Sequence, residues 1–212
     1  MSRLQALALD ALAPAQRELH CQIVADRSQL ASGRHSGDGK KVPIALPDGS
    51  LSGPWNAMVA SPVIGSLVEQ TARACRHESR CARDLTEVAI LAVGAEWRSQ
   101  FEWFAHARLA LHHGVSAAAI SLIKRSASAA EAAADGAMDA RQAAVYAWAR
   151  ELLATKRTSM ASHVAALDAV GSEAALVDLT WTLGFYLQIS CVLNAFDVSI
   201  PPGCGAAPFE EP

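Results

Sequence analysis

No two of the five cysteines, Cys21, Cys75, Cys81, Cys191 and Cys204, are spaced as Cys-x-x-Cys. Their odd number does not suggest a disulfide framework, and free thiols in a reducing compartment are the simplest reading. Charge is scarce as well: 18% of residues are charged, the formal net charge is -3 and the pI is near 6.1. Gripping a phosphate backbone calls for clustered Lys and Arg, so nucleic acid is not an expected partner. Aromatics make up only 6% of the chain and strand-like alternation is rare. Alanine is abundant, and with leucine it favours helix, so the expected fold class is all-α. The opening MSRLQALALDALAP has an acidic residue and no sustained apolar core before Pro14, unlike a secretory signal. The uncharged run 179–196 is nearly a membrane span in length, but Gln188, Ser190 and Asn194 interrupt it and Asp178 and Asp197 bracket it. A buried or interface helix in a cytoplasmic protein is expected there, with no membrane partner.

With 212 residues, 51% of them hydrophobic, the chain can bury one sizeable core. A single domain over 1–212 is expected: an N-terminal helix and long loop (1–55), a helical core (56–198) and a tail (199–212). The first helix reads as 14–27, with Leu19, Ile23 and Val24 on one side. The segment 32–54, rich in Gly, Ser, Pro and Asp, reads as a loop that either covers a site, wraps a partner subunit or is a surface excursion. Ser61 and Pro62 open a helix to about residue 79, with Val63, Leu67, Val68 and Thr71 expected inward. Ser116 caps a short helix carrying Ile120 and Ile123, and an alanine-rich link follows to Gly136. Asp139 caps a helix with Ala143, Tyr146, Ala147, Ala149 and Leu153. Two more helices span 159–170, closed by Gly171, and 172–196, before Pro201 and Pro202 end regular structure.

The polar groups of interest concentrate in 85–115. Asp84 or Thr86 can cap a helix with apolar Leu85, Val88, Ala89, Ala92 and Val93 at helical spacing and Glu87 in its first turn. Trp97 and Arg98 break the pattern, and Ser99 with Glu102 has the form of a capping box opening a second helix that runs to Gly114. The two helices, near 84–97 and 99–113, are expected to form an antiparallel hairpin. Ser99, Glu102, His106, Leu109 and His113 form one stripe, and Glu87, Leu91, Gly94 and Arg98 another. If the stripes face each other, with Gly94 allowing close approach, Glu87, Glu102 and His106 converge in an apolar surround as a general acid/base unit. Each also has a plainer reading. Glu87 can simply complement the helix dipole, worth about 0.3–1 kcal/mol. Ser99 and Glu102 can be only a capping pair, and His106 a satisfied core group. His112 and His113 suit a helix end, and Trp97 and Trp103 suit core or pocket wall. A metal held by Glu102, His106 and Glu87 is a weaker reading, because the Glu-x-x-His unit of di-iron bundles is absent. No metal or cofactor is expected.

Glu87, eleven residues, Ser99, two residues, Glu102, three residues and His106 resemble the pattern of the carboxymuconolactone decarboxylase and alkylhydroperoxidase D superfamily. Its peroxidase members carry Glu-x11-Cys-x-x-Cys-x3-His. Here Ser99 and Glu102 replace both cysteines, and Phe101-Glu102-Trp103-Phe104-Ala105-His106 is similar to the aromatic-Glu-Trp-x-x-His run of the decarboxylase-type branch. Looser likeness extends from Pro54-Trp55-Asn56 and Ser61-Pro62 to Gly184-Phe185-Tyr186 and Leu193-Asn194-Ala195-Phe196. The resemblance implies an alkylhydroperoxidase D-like helical bundle, a homo-oligomer, and a cofactor-free lyase acting on a small acidic lactone or aromatic ring-cleavage product. On that reading His106 is the acid/base. Glu87 orients it, and Glu102 assists proton transfer or holds the helix start. Arg98 binds a substrate carboxylate, with Ser99 and Trp103 also at the substrate. The alternatives are an alkylhydroperoxidase-like antioxidant enzyme, which needs a low-pKa attacking thiol, and a non-catalytic oligomeric relative.

Overall fold

The computed structural model describes residues 2–31, 42–134 and 136–210. Among them are ten α-helices: α1 (Pro14–Ala31), α2 (Gly53–Ala60), α3 (Pro62–His77), α4 (Arg83–Glu96), α5 (Gln100–His112), α6 (Ala117–Lys124), α7 (Ala129–Ala134), α8 (Ala140–Thr155), α9 (Met160–Val170) and α10 (Glu173–Ala195). The described residues contain no strand, only one isolated antiparallel bridge between Ala45 and Leu51. The all-α class is therefore as expected.

Helix α4 is the axis of the bundle. Every residue from Leu85 to Ala95 is buried, because α5, α6, α8 and α10 pack around it. A helix apolar all round is stable only with such enclosure. Neither Asp84 nor Thr86 caps it. The helix starts earlier, with Ala82 at the cap, so both side chains lie inside the first turn. Thr86 donates back to the Ala82 carbonyl (3.0 Å), and Asp84 accepts from the Gln142 amide of α8 (3.2 Å).

Four other caps form as their sequences indicate. Ser116, Asp139, Ser159 and Ser172 each accept a hydrogen bond from the amide three residues on, opening α6, α8, α9 and α10. Each is worth about 1 kcal/mol. Gly171, at φ 84°, closes α9 in the left-handed conformation.

Three readings need correction. The segment 32–54 ends in helix, since α2 begins at Gly53, and the alanine-rich link contains α7. Residues 32–41 of that segment lie outside the described residues. The remainder is tied down: His20 of α1 bonds the Gly49 carbonyl (2.9 Å), and Asp48 accepts from Ser50. Third, α3 turns inward a different face from the one expected. Val63 and Leu67 are 78% and 60% exposed, and Thr71 is exposed too. The inward face runs through Gly65, Glu69 and Ala72, with Val68, Cys75 and Arg76 partly buried. A buried ion pair, Arg76 to Glu69, occupies the place where aliphatic side chains were expected.

In α10, Leu179, Leu183, Phe185, Tyr186, Ile189 and Leu193 point inward, while Val177 and Trp181 are exposed. By length and composition this helix could cross a membrane, and half of its apolar window is buried inside the chain. Beyond it the tail is draped over the bundle, with Phe209 buried against Trp103 at a ring separation of 5.3 Å.

Helices α2 and α3 meet so closely that a Cβ on Gly65 would lie 2.1 Å from the Met58 carbonyl oxygen, whereas one on Gly184 of α10 meets nothing within 4 Å. Gly65→Ala is expected to cost about 2 kcal/mol, lowering the thermal midpoint by roughly 4–8 °C. Gly184→Ala should show no loss, because alanine is the better helix former. Calorimetry on both variants checks the pair.

Candidate functional site

Three residues turn the chain from α4 into α5. Trp97 ends α4, Arg98 adopts a left-handed φ of 48°, and Ser99 precedes α5. The Arg98 and Ser99 amides fold back to the Ala95 (3.1 Å) and Gly94 (3.0 Å) carbonyls. Ser99 occupies the cap position but makes no side-chain cap, and its buried hydroxyl has no hydrogen-bond partner. The hydroxyl half of the expected capping box is therefore not formed. Gly94 lies beside the Trp103 backbone, and seven residues earlier Glu87 meets His106, three residues beyond Trp103. That register makes the pair of helices antiparallel, as expected. Gly94 is not required for the approach, since a Cβ there would touch Trp103 at an ordinary 3.7 Å.

Glu87, Glu102 and His106 converge. His106 Nδ1 donates to Glu87 Oε2 at 2.7 Å, and Nε2 lies 3.4 Å from Glu102 Oε2, an ionic contact without hydrogen-bond geometry. The three side chains are 11%, 6% and 5% exposed for His106, Glu87 and Glu102. The Tyr186 ring of α10 stands edge-on to the imidazole at 4.7 Å, and Phe185 packs on Tyr186 at 5.2 Å. Burial is the largest influence on the imidazole and disfavours its charge. The Glu87 charge, the Glu87 hydrogen bond and the Glu102 charge together outweigh burial, with Arg76 opposing them, so the His106 pKa is raised. With a carboxylate facing each ring nitrogen, the imidazolium is the form that fits.

Arg98 and Trp103 do not reach this cluster. The positive φ of Arg98 turns its side chain outward, where it donates to the Glu210 carbonyl (3.0 Å) and lies 5.4 Å from the Phe209 ring. Contrary to the expectation from its stripe, Arg98 is therefore turned to the tail and away from the cluster. Trp103 is core, wedged between Phe209 and the Gly94 turn of α4. Ser99 is buried near the same turn, without a bond to the cluster. His112 and His113 sit at the α5 terminus, their rings edge-on to each other at 5.1 Å.

Two contributors were not read from the sequence as site residues. Arg76 of α3 brings the nearby cation, and its Nη2 donates to Glu69 Oε1 at 2.9 Å with both side chains largely buried. The signal was a polar pair seven residues apart, two helical turns, on one face with Gly65 and Ala72. Tyr186 lies in a run noticed only for its family likeness. Among the described residues no group of three His, Cys, Asp or Glu is arranged to hold a metal ion.

An all-helical bundle with this central hairpin defines the class: the chain has the fold of the alkylhydroperoxidase AhpD core. A solved structure from Ralstonia eutropha JMP134, described as an AhpD core and an uncharacterized peroxidase-related protein, superposes with a TM-score of 0.70. The match covers 96% of this chain and 94% of the other at 11% identity, a likeness of fold. No protein-family model matches the chain, and no curated protein matches it in sequence.

A raised folded pKa means that the protonated ring stabilises the fold. That contribution is complete below the unfolded value near 6.5 and is lost as pH rises through the folded value. Imidazole resonances of His106 followed by NMR should titrate above 6.5, and Glu87→Gln should move the midpoint down. Over the same window above 6.5 the wild type should lose stability with pH more steeply than the variant. A His106 that titrates below 6.5 would contradict the assigned imidazolium.

Proposed function

We propose that this chain is a lyase-type acid/base enzyme acting on a small acidic lactone or a related aromatic ring-cleavage product. The observation that carries the reading is a buried histidine, His106, held by Glu87 at 2.7 Å and faced by Glu102 in an apolar helical bundle. Loss of carbon dioxide from an unsaturated lactone leaves a carbanion that the ring carbonyl delocalises, and a positioned acid must then protonate carbon. His106 is that acid. Glu87 orients the ring and offsets its charge, and Glu102 is placed to return a proton to Nε2 between turnovers.

A panel of small unsaturated lactone acids, incubated with the protein in heavy water, tests this reading by carbon dioxide release and deuterium uptake at carbon. His106→Gln is expected to slow turnover by about 10²-fold or more. Unchanged turnover in that variant would sink the proposal.

Hydroperoxide reduction is the competing reading, since the Ralstonia protein is described as peroxidase-related. Its dithiol chemistry needs an attacking thiolate, yet positions 99 and 102 hold Ser and Glu. Burial pushes the Cys75 and Cys81 thiols up, away from the reactive form. Negligible peroxide consumption with dithiol donors is expected. Activity that vanished on Cys75→Ser or Cys81→Ser would reverse the preference.

Assembly is part of the same proposal. Val63, Ile64 and Leu67 on α3, and Val177 and Trp181 on α10, are large apolar side chains left exposed by the single chain. A homo-oligomer covering such surface is expected to show a light-scattering mass that is a multiple of 22.3 kDa and a concentration-dependent unfolding midpoint. A monodisperse monomer at micromolar concentration would refute it.

A further inference from the structure

We infer that Tyr186 is a positioning residue for His106: its ring, held on α10, fixes the rotation of the imidazole so that Nδ1 stays on Glu87 and Nε2 stays on the Glu102 side. The inference rests on the acid/base reading above, in which Nε2 is the nitrogen that gives and regains the proton.

The two carboxylates do not settle that rotation by themselves. Glu87 holds one ring atom, accepting from Nδ1 at 2.7 Å, whereas Nε2 lies 3.4 Å from Glu102 Oε2 without hydrogen-bond geometry. The torsion that turns an imidazole on its Cβ is broad, with no sharp staggered wells, so packing must choose its value. A half turn would carry Nδ1 off Glu87 and put a C–H in its place.

Tyr186 supplies the packing. Its ring centroid lies 4.7 Å from that of the imidazole at an interplanar angle of 79°, a favoured arrangement of two flat rings, and both residues are buried. In a close-packed interior, rotating the imidazole exchanges this contact for a gap or a collision. The tyrosine is itself fixed. Phe185 packs on it at 5.2 Å, with the two planes at 88°. On α10, Thr182, one turn before Tyr186, is hydrogen-bonded to Cys75 of α3, and Asn194, two turns after it, donates to the Trp97 carbonyl at 2.6 Å. Helix α10 is thus tied to α3 on one side of Tyr186 and to the α4–α5 turn on the other, which keeps the ring from sliding past His106. The plain alternative is that Tyr186 only fills core volume. An apolar side chain of closer volume would then serve as well, whereas a positioning ring is replaced only by a ring.

The test uses the full chain labelled with nitrogen-15 histidine. The His106 Nδ1–Hδ1 correlation, assigned by its disappearance in His106→Gln, reports the bond to Glu87. Tyr186→Phe, which keeps the ring, is expected to retain that signal at its wild-type position. Tyr186→Leu is expected to lose it by exchange with water or to shift it upfield. Should Tyr186→Leu fail to fold, Tyr186→Met, closer in volume and without a ring, serves instead. In the lyase assay Tyr186→Leu should lower kcat about tenfold or more with KM little moved, and Tyr186→Phe should recover most of the loss. An unchanged signal in Tyr186→Leu or Tyr186→Met overturns the inference, as does its loss in Tyr186→Phe or the absence of a protected signal from the wild type. The two readings fail separately. A signal lost in Tyr186→Leu while the wild type shows no lyase turnover defeats only the proposed function. Lyase turnover with unaltered kcat in Tyr186→Leu defeats only the role of Tyr186.

Discussion

Glu87 holds the His106 ring inside an apolar bundle and favours its charged form, and the surrounding helices are arranged so that this pairing holds. The imidazolium would be expelled or neutralised without a partner, since an uncompensated buried charge costs about 3–5 kcal/mol. The partner in turn needs a rigid support. Glu87 lies on the helix buried along its whole middle, so its carboxylate cannot swing to solvent, and the three-residue turn from α4 to α5 sets the register that brings His106 to it. Glu102 and Tyr186 close the remaining sides of the ring. Strength and position thus come from the same enclosure, which lowers the local dielectric and fixes the donors.

Local spacing made the centre of the site legible. Glu87, Glu102 and His106 lie on two helices joined by a short turn, so helical period and antiparallel register suffice to bring them together. What failed depended on groups far apart in the chain. Arg98 belonged to the right stripe by count, but its left-handed backbone turned the side chain to the tail. Arg76 was invisible as a site residue because its place depends on which face α3 turns inward, and the apolar count on that helix pointed the other way. Buried polar pairs invert the usual pattern in this manner: Glu69 and Arg76 take the interior, leaving Val63, Ile64 and Leu67 at the surface.

Glycine carried a second hidden meaning. In the sequence Gly53 reads as one more loop residue, yet it opens α2 at φ 55°, and a Cβ there would sit 2.2 Å from the Phe101 ring. Phe101 is buried in the first turn of α5, with Trp55 edge-on to it at 5.9 Å. The loop therefore ends in a contact that seats the helix bearing Glu102 and His106. Side-chain spacing cannot report this, because the informative feature is a missing atom.

The docked tail carries an implication for the order in which the protein forms. The Gln100 side chain donates to the Phe209 carbonyl at 2.7 Å and accepts from its amide at 2.9 Å, a contact spanning 109 residues. During synthesis at about 5–20 residues per second, the start of α5 waits roughly 5–20 s for that partner. Through the interval the Trp103 face that Phe209 later covers lacks that cover. A segment made 109 residues after Gln100 thus seals the first turn of the site helix.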